Sequence, residues 1–342
     1  MINAKRLITQ KTKGMKQIYK YISAIVLAII IFNPFEEIQA GNKDRSGQAG
    51  ASELLINPWA RSSGWGGVNT ASVRGLEAMF GNVAGVAHTG STELIFAQTQ
   101  WLKGTDITIS AFGLTQRISE SGVLGLSVMS MSIGDIMITR TDLPEGGIGT
   151  FSPSYLNVGI SYSQAFSSSI YGGVLIRIIN ESISDASAGG IAIDAGIQYI
   201  TGDQENIKFG IALRNVGPTI SFSGDGFATR VSIPGQETLF TLTERQNKFE
   251  LPTTMSIGAA YDFLFGGSRF TLAGNFQSNA FSNDLFMLGG EFSFRDYVML
   301  RAGYAYEDGI FEDIESSNKI TVSKGFSGGL TVQVPFNKEK GS

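Results

Sequence analysis

The sequence contains no cysteine and a single histidine, His88, in 342 residues. Disulfide frameworks, lipidated-cysteine anchors and thiolate metal sites are excluded, and a lone histidine has no second imidazole with which to build a metal centre. Proline is scarce at 8 residues and charge is low at 16%, below the roughly 25% of an average soluble domain. Beyond residue 40 no stretch approaches the roughly 20 apolar residues of a membrane helix, so any crossing of a bilayer has to be made by strands. Lys/Arg runs are also missing there. With residues 1–40 set aside, 20 bases face 28 acids, an acidic balance that does not suit nucleic acid as a partner.

Glycine, with 43 residues, and aromatics at 11% are plentiful, and mean hydropathy is +0.08. A disordered chain would instead be charged and poor in aromatics. Residues 1–40 read as a cleavable signal peptide. Lys5, Arg6, Lys11, Lys13, Lys16 and Lys20 precede an apolar run from Ile22 to Phe32, then Pro34 and the small-residue exit Ile38-Gln39-Ala40. Met15-Lys16 with the same run would already make a complete leader. At about eleven residues the run is too short to span.

From Thr92 onward, apolar side chains alternate with small or polar ones in segments of about ten residues, which is the period of a strand. Leu156, Val158, Ile160, Tyr162 and Phe166 share one face, and Asn157, Gly159, Ser161, Ser163 and Ala165 the other. About twelve strands follow, near 93–101, 104–114, 121–135, 154–166, 169–182, 189–200, 205–216, 253–263, 268–277, 284–295, 297–306 and 326–336. Connections after even strands are short. Those after odd strands include the long 217–252 and 307–325, intermediate ones near 143–153 and 183–188, and a short exception at Leu102-Lys103. That parity fits an all-β, up-and-down antiparallel barrel crossing the outer membrane, with short turns inside the cell envelope and long loops outside. A solvated sandwich shares the alternation but not the parity.

Asp194, Lys208, Arg214, Asp262, Glu291 and Arg301 fall on the polar faces. Against lipid they would be costly, so they are expected to face the lumen and to pair with one another or with a plug. On that reading arginine should be milder at Ser161 than at Ile160 or Ile211. Residues 41–91, rich in Gly, Ala and Ser, do not read as strands. Joined directly to the first strand, they are placed to fold into the lumen as a plug, with Arg61, Gly64, Trp65, Gly66, Gly67 and Asn82 as its marked residues; a free solvated arm is the alternative. Residues 92–342 would be the barrel.

Enzymatic chemistry finds no support. Gly64-Trp65-Gly66-Gly67 lacks the spacing and the flanking βαβ unit of a nucleotide loop, and no triad, carboxylate pair or cofactor motif stands out. The long connection 217–252 is apolar for a solvated loop, with Phe222, Phe227, Val231, Ile233, Leu239, Phe240, Leu242 and Phe249. It either binds a partner or packs over the barrel mouth.

Gly47-Gln48-Ala49-Gly50-Ala51, Leu54-Leu55-Ile56-Asn57-Pro58, Ala60-Arg61-Ser62-Ser63-Gly64, Gly66-Gly67, Asn82 with Ala84-Gly85, and Gln100-Trp101 together resemble the PorV/PorQ family. That family consists of outer-membrane barrels related in fold to the FadL fatty-acid channels. The resemblance covers essentially the whole chain past the leader, and its motifs lie in the first 60 residues of that part. It departs at Asn82-Val83-Ala84-Gly85, where the family usually has proline in second place, and in showing about twelve strands where fourteen are expected, from which a C-terminally incomplete sequence is expected. The resemblance implies a component of the type IX secretion system without a cofactor. Its partners would be outer-membrane lipid, the translocon barrel, the C-terminal signal domains of cargo and the attachment-complex proteins. It would carry cargo from translocon to cell surface. A FadL-like channel for hydrophobic solutes is the second reading, against which the small and charged lumenal faces count mildly.

Overall fold

The computed structural model describes residues 41–232, 239–311 and 325–334; the expected leader, residues 1–40, lies outside them. Twelve strands form one antiparallel sheet in sequence order: β1 (Thr92–Gln100), β2 (Thr108–Arg117), β3 (Gly122–Ser132), β6 (Ser154–Ala165), β7 (Ile170–Ile183), β8 (Ala186–Thr201), β9 (Ile207–Val216), β12 (Thr254–Phe265), β13 (Ser268–Asn279), β14 (Leu285–Phe294), β15 (Val298–Glu307) and β16 (Phe326–Val332). Two short hairpins stand apart in the long connections: β4 (Ile136–Met137) with β5 (Thr150–Phe151), and β10 (Ala228–Ser232) with β11 (Leu239–Thr243).

The period-2 pattern becomes the two faces of the wall. Leu156, Ile160 and Tyr162 are exposed, whereas Asn157, Ser161 and Ser163 are buried. The same holds for Ile191, Ile193 and Ile197 outside against Ala192, Asp194 and Gln198 inside. An outer surface of isoleucine, leucine, valine and phenylalanine over an inner surface holding buried Arg, Lys, Asp and Glu is stable only with lipid outside. Exposed aromatics gather toward the short-turn end, among them Tyr162, Phe166, Tyr199, Phe209, Phe263, Phe270 and Phe294, as at a membrane interface. The protein is a transmembrane β-barrel of the outer membrane.

The turns after even strands are all short, at 118–121, 166–169, 202–206, 266–267 and 295–297. At the opposite end lie the long connections 133–153, 217–253 and 308–325. Two expectations need correction. The intermediate loop near 183–188 does not exist, because β7 and β8 stay paired to Ile183↔Ala186 and only Ser184 and Asp185 turn the chain, Ser184 with φ of 49°. The second strand begins at Thr108, not 104, since Thr105 ties the turn by donating from Oγ1 to the carbonyls of Trp101 and Leu102.

Among the described residues β1 pairs only with β2, and β16 only with β15. Residues 41–91 pack against the wall's inner face. Their short elements are 3-10 turns at Lys43–Arg45, Ser52–Leu55, Gly75–Phe80 and Val83–His88 and one helical turn, α1 (Ala60–Gly64). None has the length for stability alone, so their order comes from tertiary contact. A cluster of Trp59, Leu76, Met79, Phe80, Val83 and Val86 packs on Ile109, Val123, Met129 and Leu175 of β2, β3 and β7. A second joins Trp65, Val68 and Ala71 to Ala260, Ala273 and Met287.

Candidate functional site

The inner segment crosses the lumen from one end to the other. It starts at the long-loop end, where Asn42 N–H donates to the Asn279 carbonyl and Arg45 pairs with Glu250 at 2.6 Å. It finishes at the short-turn end, where the Arg117 guanidinium donates to the carbonyls of Ala87, Thr89, Gly90 and Glu120. Between these anchors the marked residues of the segment do particular jobs. Gly64 lies so close to β16 that a Cβ on it would stand 2.9 Å from Gly329 Cα. Gly66 and Gly67 hold φ of 66° and 75°, the left-handed turn out of α1 that disfavours other residues. Trp65 lies against Gly289 and Gly303 of the wall. The Asn82 amide donates to the carbonyls of Thr70 and of Ile197 in the β8 wall, each at 3.0 Å, while its oxygen caps the next turn at Ala84 N–H. Arg61 is half-exposed and pairs with buried Glu77 at 3.4 Å.

The six lumenal charges point inward, and five of them are paired with an opposite charge. Asp194 pairs with Arg177 at 2.9 Å and accepts the Asn215 N–H at 2.7 Å, beside the register shift of β8 on β9. Lys208 pairs with Asp262. Arg269 bridges Asp262 and Glu291 at 3.8 and 2.6 Å, and Arg301 completes the chain through Glu291. Among the described residues Arg214 has no acid in hydrogen-bond reach; it donates to the Leu54 carbonyl at 3.0 Å. Arg177 and Arg269 escape a reading by alternation for different reasons. Arg177 stands inward between Leu175 and Ile179, so β7 is apolar on both faces and its period is hidden. Arg269 sits next to a turn, where a charge is unremarkable. Arg177 also donates to the Met79 carbonyl and stacks 4.5 Å from the Phe80 ring centroid, fastening the segment to the wall.

The segment separates two cavities. The larger, of about 770 Å³, lies at the long-loop end. Wall residues at that end line it, including Trp101, Met131, Ile133, Tyr155, Arg214, Gln277, Leu285 and Met287, with Glu53, Leu55, Ile56, Asn57, Asn69, Thr70 and Phe80 from the segment. Its surface is apolar in the main and polar around Glu53, Arg214 and Gln277. Glu53 is buried with Oε1 unpartnered among the described residues; burial, with Glu181 nearby, pushes its carboxyl up to about 7. The lumen is therefore not small and charged throughout, as the sequence suggests. Met129, Met131, Leu175 and Tyr155 carry an apolar half that packs on the segment or faces this cavity. The smaller cavity, of about 130 Å³, lies toward the short turns between the segment and β9, β13, β14 and β15. Asn69 lines both.

The long connection 217–253 divides in two. Phe222 and Phe249 contact each other at 5.8 Å, Ile220 and Phe249 exchange backbone hydrogen bonds, and Ile220 and Leu251 are buried on Ala51, Leu54, Ile179 and Ala192. This base packs over the barrel mouth. Val231, Leu239 and Phe240 belong to the β10–β11 hairpin, whose strands are exposed almost throughout, with Phe227 at its root; Ile233 lies outside the described residues.

No family model and no curated protein sequence matches the chain. Solved structures do. A deltaS2 mutant of the TodX monoaromatic hydrocarbon channel is 11% identical with a TM-score of 0.49, over 82% of this chain and 90% of that one. The Pseudomonas putida toluene transporter TodX is 12% identical with a TM-score of 0.45, over 73% and 84%. The CymD monoaromatic hydrocarbon channel is 11% identical with a TM-score of 0.40, over 74% and 93%.

Proposed function

We propose that this barrel admits small, mainly apolar solutes from the long-loop side into the 770 Å³ cavity and passes them through the lumen, as a FadL-like outer-membrane channel. The observation that carries the reading is the cavity itself: a concave, mostly apolar chamber of this volume with a few polar groups at one side is the usual form of a small-ligand site. Hydrocarbon channels among the similar structures are in keeping with it. The inner segment, pinned at Arg117 and through Arg177, serves as the gate that has to shift for passage.

Trp101, at the cavity wall, supplies the test. Titrating the purified protein with toluene is expected to quench tryptophan emission saturably. The change is expected to be lost in Trp101→Phe and weakened in Ile133→Phe, which fills part of the chamber without adding a tryptophan. Quenching that never saturates, or is indifferent to Ile133→Phe, rejects the cavity as the site.

The second reading, a type IX secretion component that hands cargo C-terminal domains from translocon to attachment complex, has its own support. The β10–β11 hairpin presents Val231, Phe240 and Leu242 on one face, Phe240 and Leu242 exposed, and a two-stranded ribbon has edges that a partner's strand can join. The family resemblance of the segment points the same way.

A further inference from the structure

The smaller cavity carries a charge imbalance that solute passage does not require. Five cations stand around it: Arg61 and Arg74 from the inner segment, Lys208, Arg269 and Arg301 from the wall. Three carboxylates are in ion-pair contact with them, namely Glu77, Asp262 and Glu291, leaving two positive charges uncompensated. Glu93, the next acid, lies on β1 and accepts the Leu76 N–H. Arg74 lines the same cavity and has no ion pair or hydrogen bond among the described residues. Like charges are held together here without the counter-charge that would relieve them.

Donors without acceptors lie beside the same space. Among the described residues Ser72 Oγ and Arg269 Nε are buried and make no hydrogen bond, and both residues line the cavity. We propose that this chamber binds one small inorganic oxyanion of the phosphate class. A dianion matches the two uncompensated charges, and guanidinium groups approaching from the segment and from β13 and β15 suit oxygens directed several ways. At about 130 Å³ the chamber has room for the anion and none for a long apolar tail. It therefore differs in ligand chemistry from the larger cavity, and its test is independent of the solute-channel reading.

The experiment is calorimetric titration of the full protein in detergent with sodium phosphate at neutral pH and constant ionic strength. The expected result is one saturable site per chain, with sulfate competing and acetate binding at least about tenfold more weakly. Arg74→Gln is the informative variant, since its side chain is exposed to the cavity and supports no contact. It is expected to weaken phosphate about tenfold or more while the folded barrel keeps its gel mobility. Arg269→Gln is expected to act in the same direction. No saturable phosphate uptake, equal affinity for acetate, or an unchanged affinity in Arg74→Gln overturns the assignment.

Discussion

Ile160 and Ser161 are chain neighbours at the middle of β6 with opposite surroundings. Ile160 is 54% exposed and faces lipid, while Ser161 is 1% exposed, with its hydroxyl near the wall glycine Gly125, against which Met79 of the inner segment also packs. The alternation identifies the faces, but it treats the inward face as open and polar. In the structure that face is filled, so arginine at Ser161 is not mild: it collides with the segment. Ile160→Arg is expected to cost roughly 2–4 kcal/mol if the site is near the bilayer midplane, seen as loss of the heat-modifiable gel band. Ser161→Arg is expected to keep that band but to expose residues 41–91 to protease. The reverse pattern contradicts the assignment of faces. Individual roles such as that of Arg177 are not legible beforehand, because they depend on where an irregular segment passes.

All twelve wall strands are legible as elements; most show the period because lipid lies on one side and polar or small groups on the other, whereas β7, apolar on both faces, does not. The hairpins β4–β5 and β10–β11 are not legible, because neither face of a projecting ribbon is buried and no period is imposed. The inner segment is legible only by contrast: too rich in glycine and too irregular for strands, it takes short turns whose shape comes from the wall. The division of 217–253 into a packed base and a free ribbon narrows the partner-binding question. Replacing residues 229–242 with a short Gly/Ser linker, while leaving Ile220, Phe222, Phe249 and Leu251 in place, is expected to leave insertion and toluene quenching intact. If the secretion reading holds, cargo or translocon capture in a gentle detergent pull-down is lost. Capture that survives the replacement removes the hairpin as the docking surface. Loss of insertion would mean that the ribbon supports the wall.

Taken whole, the outer-membrane barrel is divided by its own N-terminal segment into an amphipathic chamber on the long-loop side and a cationic one on the short-turn side. The barrel reaches this arrangement because charges unacceptable to lipid must turn inward, where Arg177, Arg214 and the Asp262–Arg269–Glu291–Arg301 chain find partners in the segment or each other. The chain has no cysteine, so a single introduced thiol reports its location without background. In whole cells, a small membrane-impermeant maleimide is expected to label Leu55→Cys in the larger cavity and to leave Arg74→Cys unlabelled until the periplasm is opened. Equal labelling of both from outside, or labelling of Arg74→Cys alone, contradicts a lumen partitioned in this way.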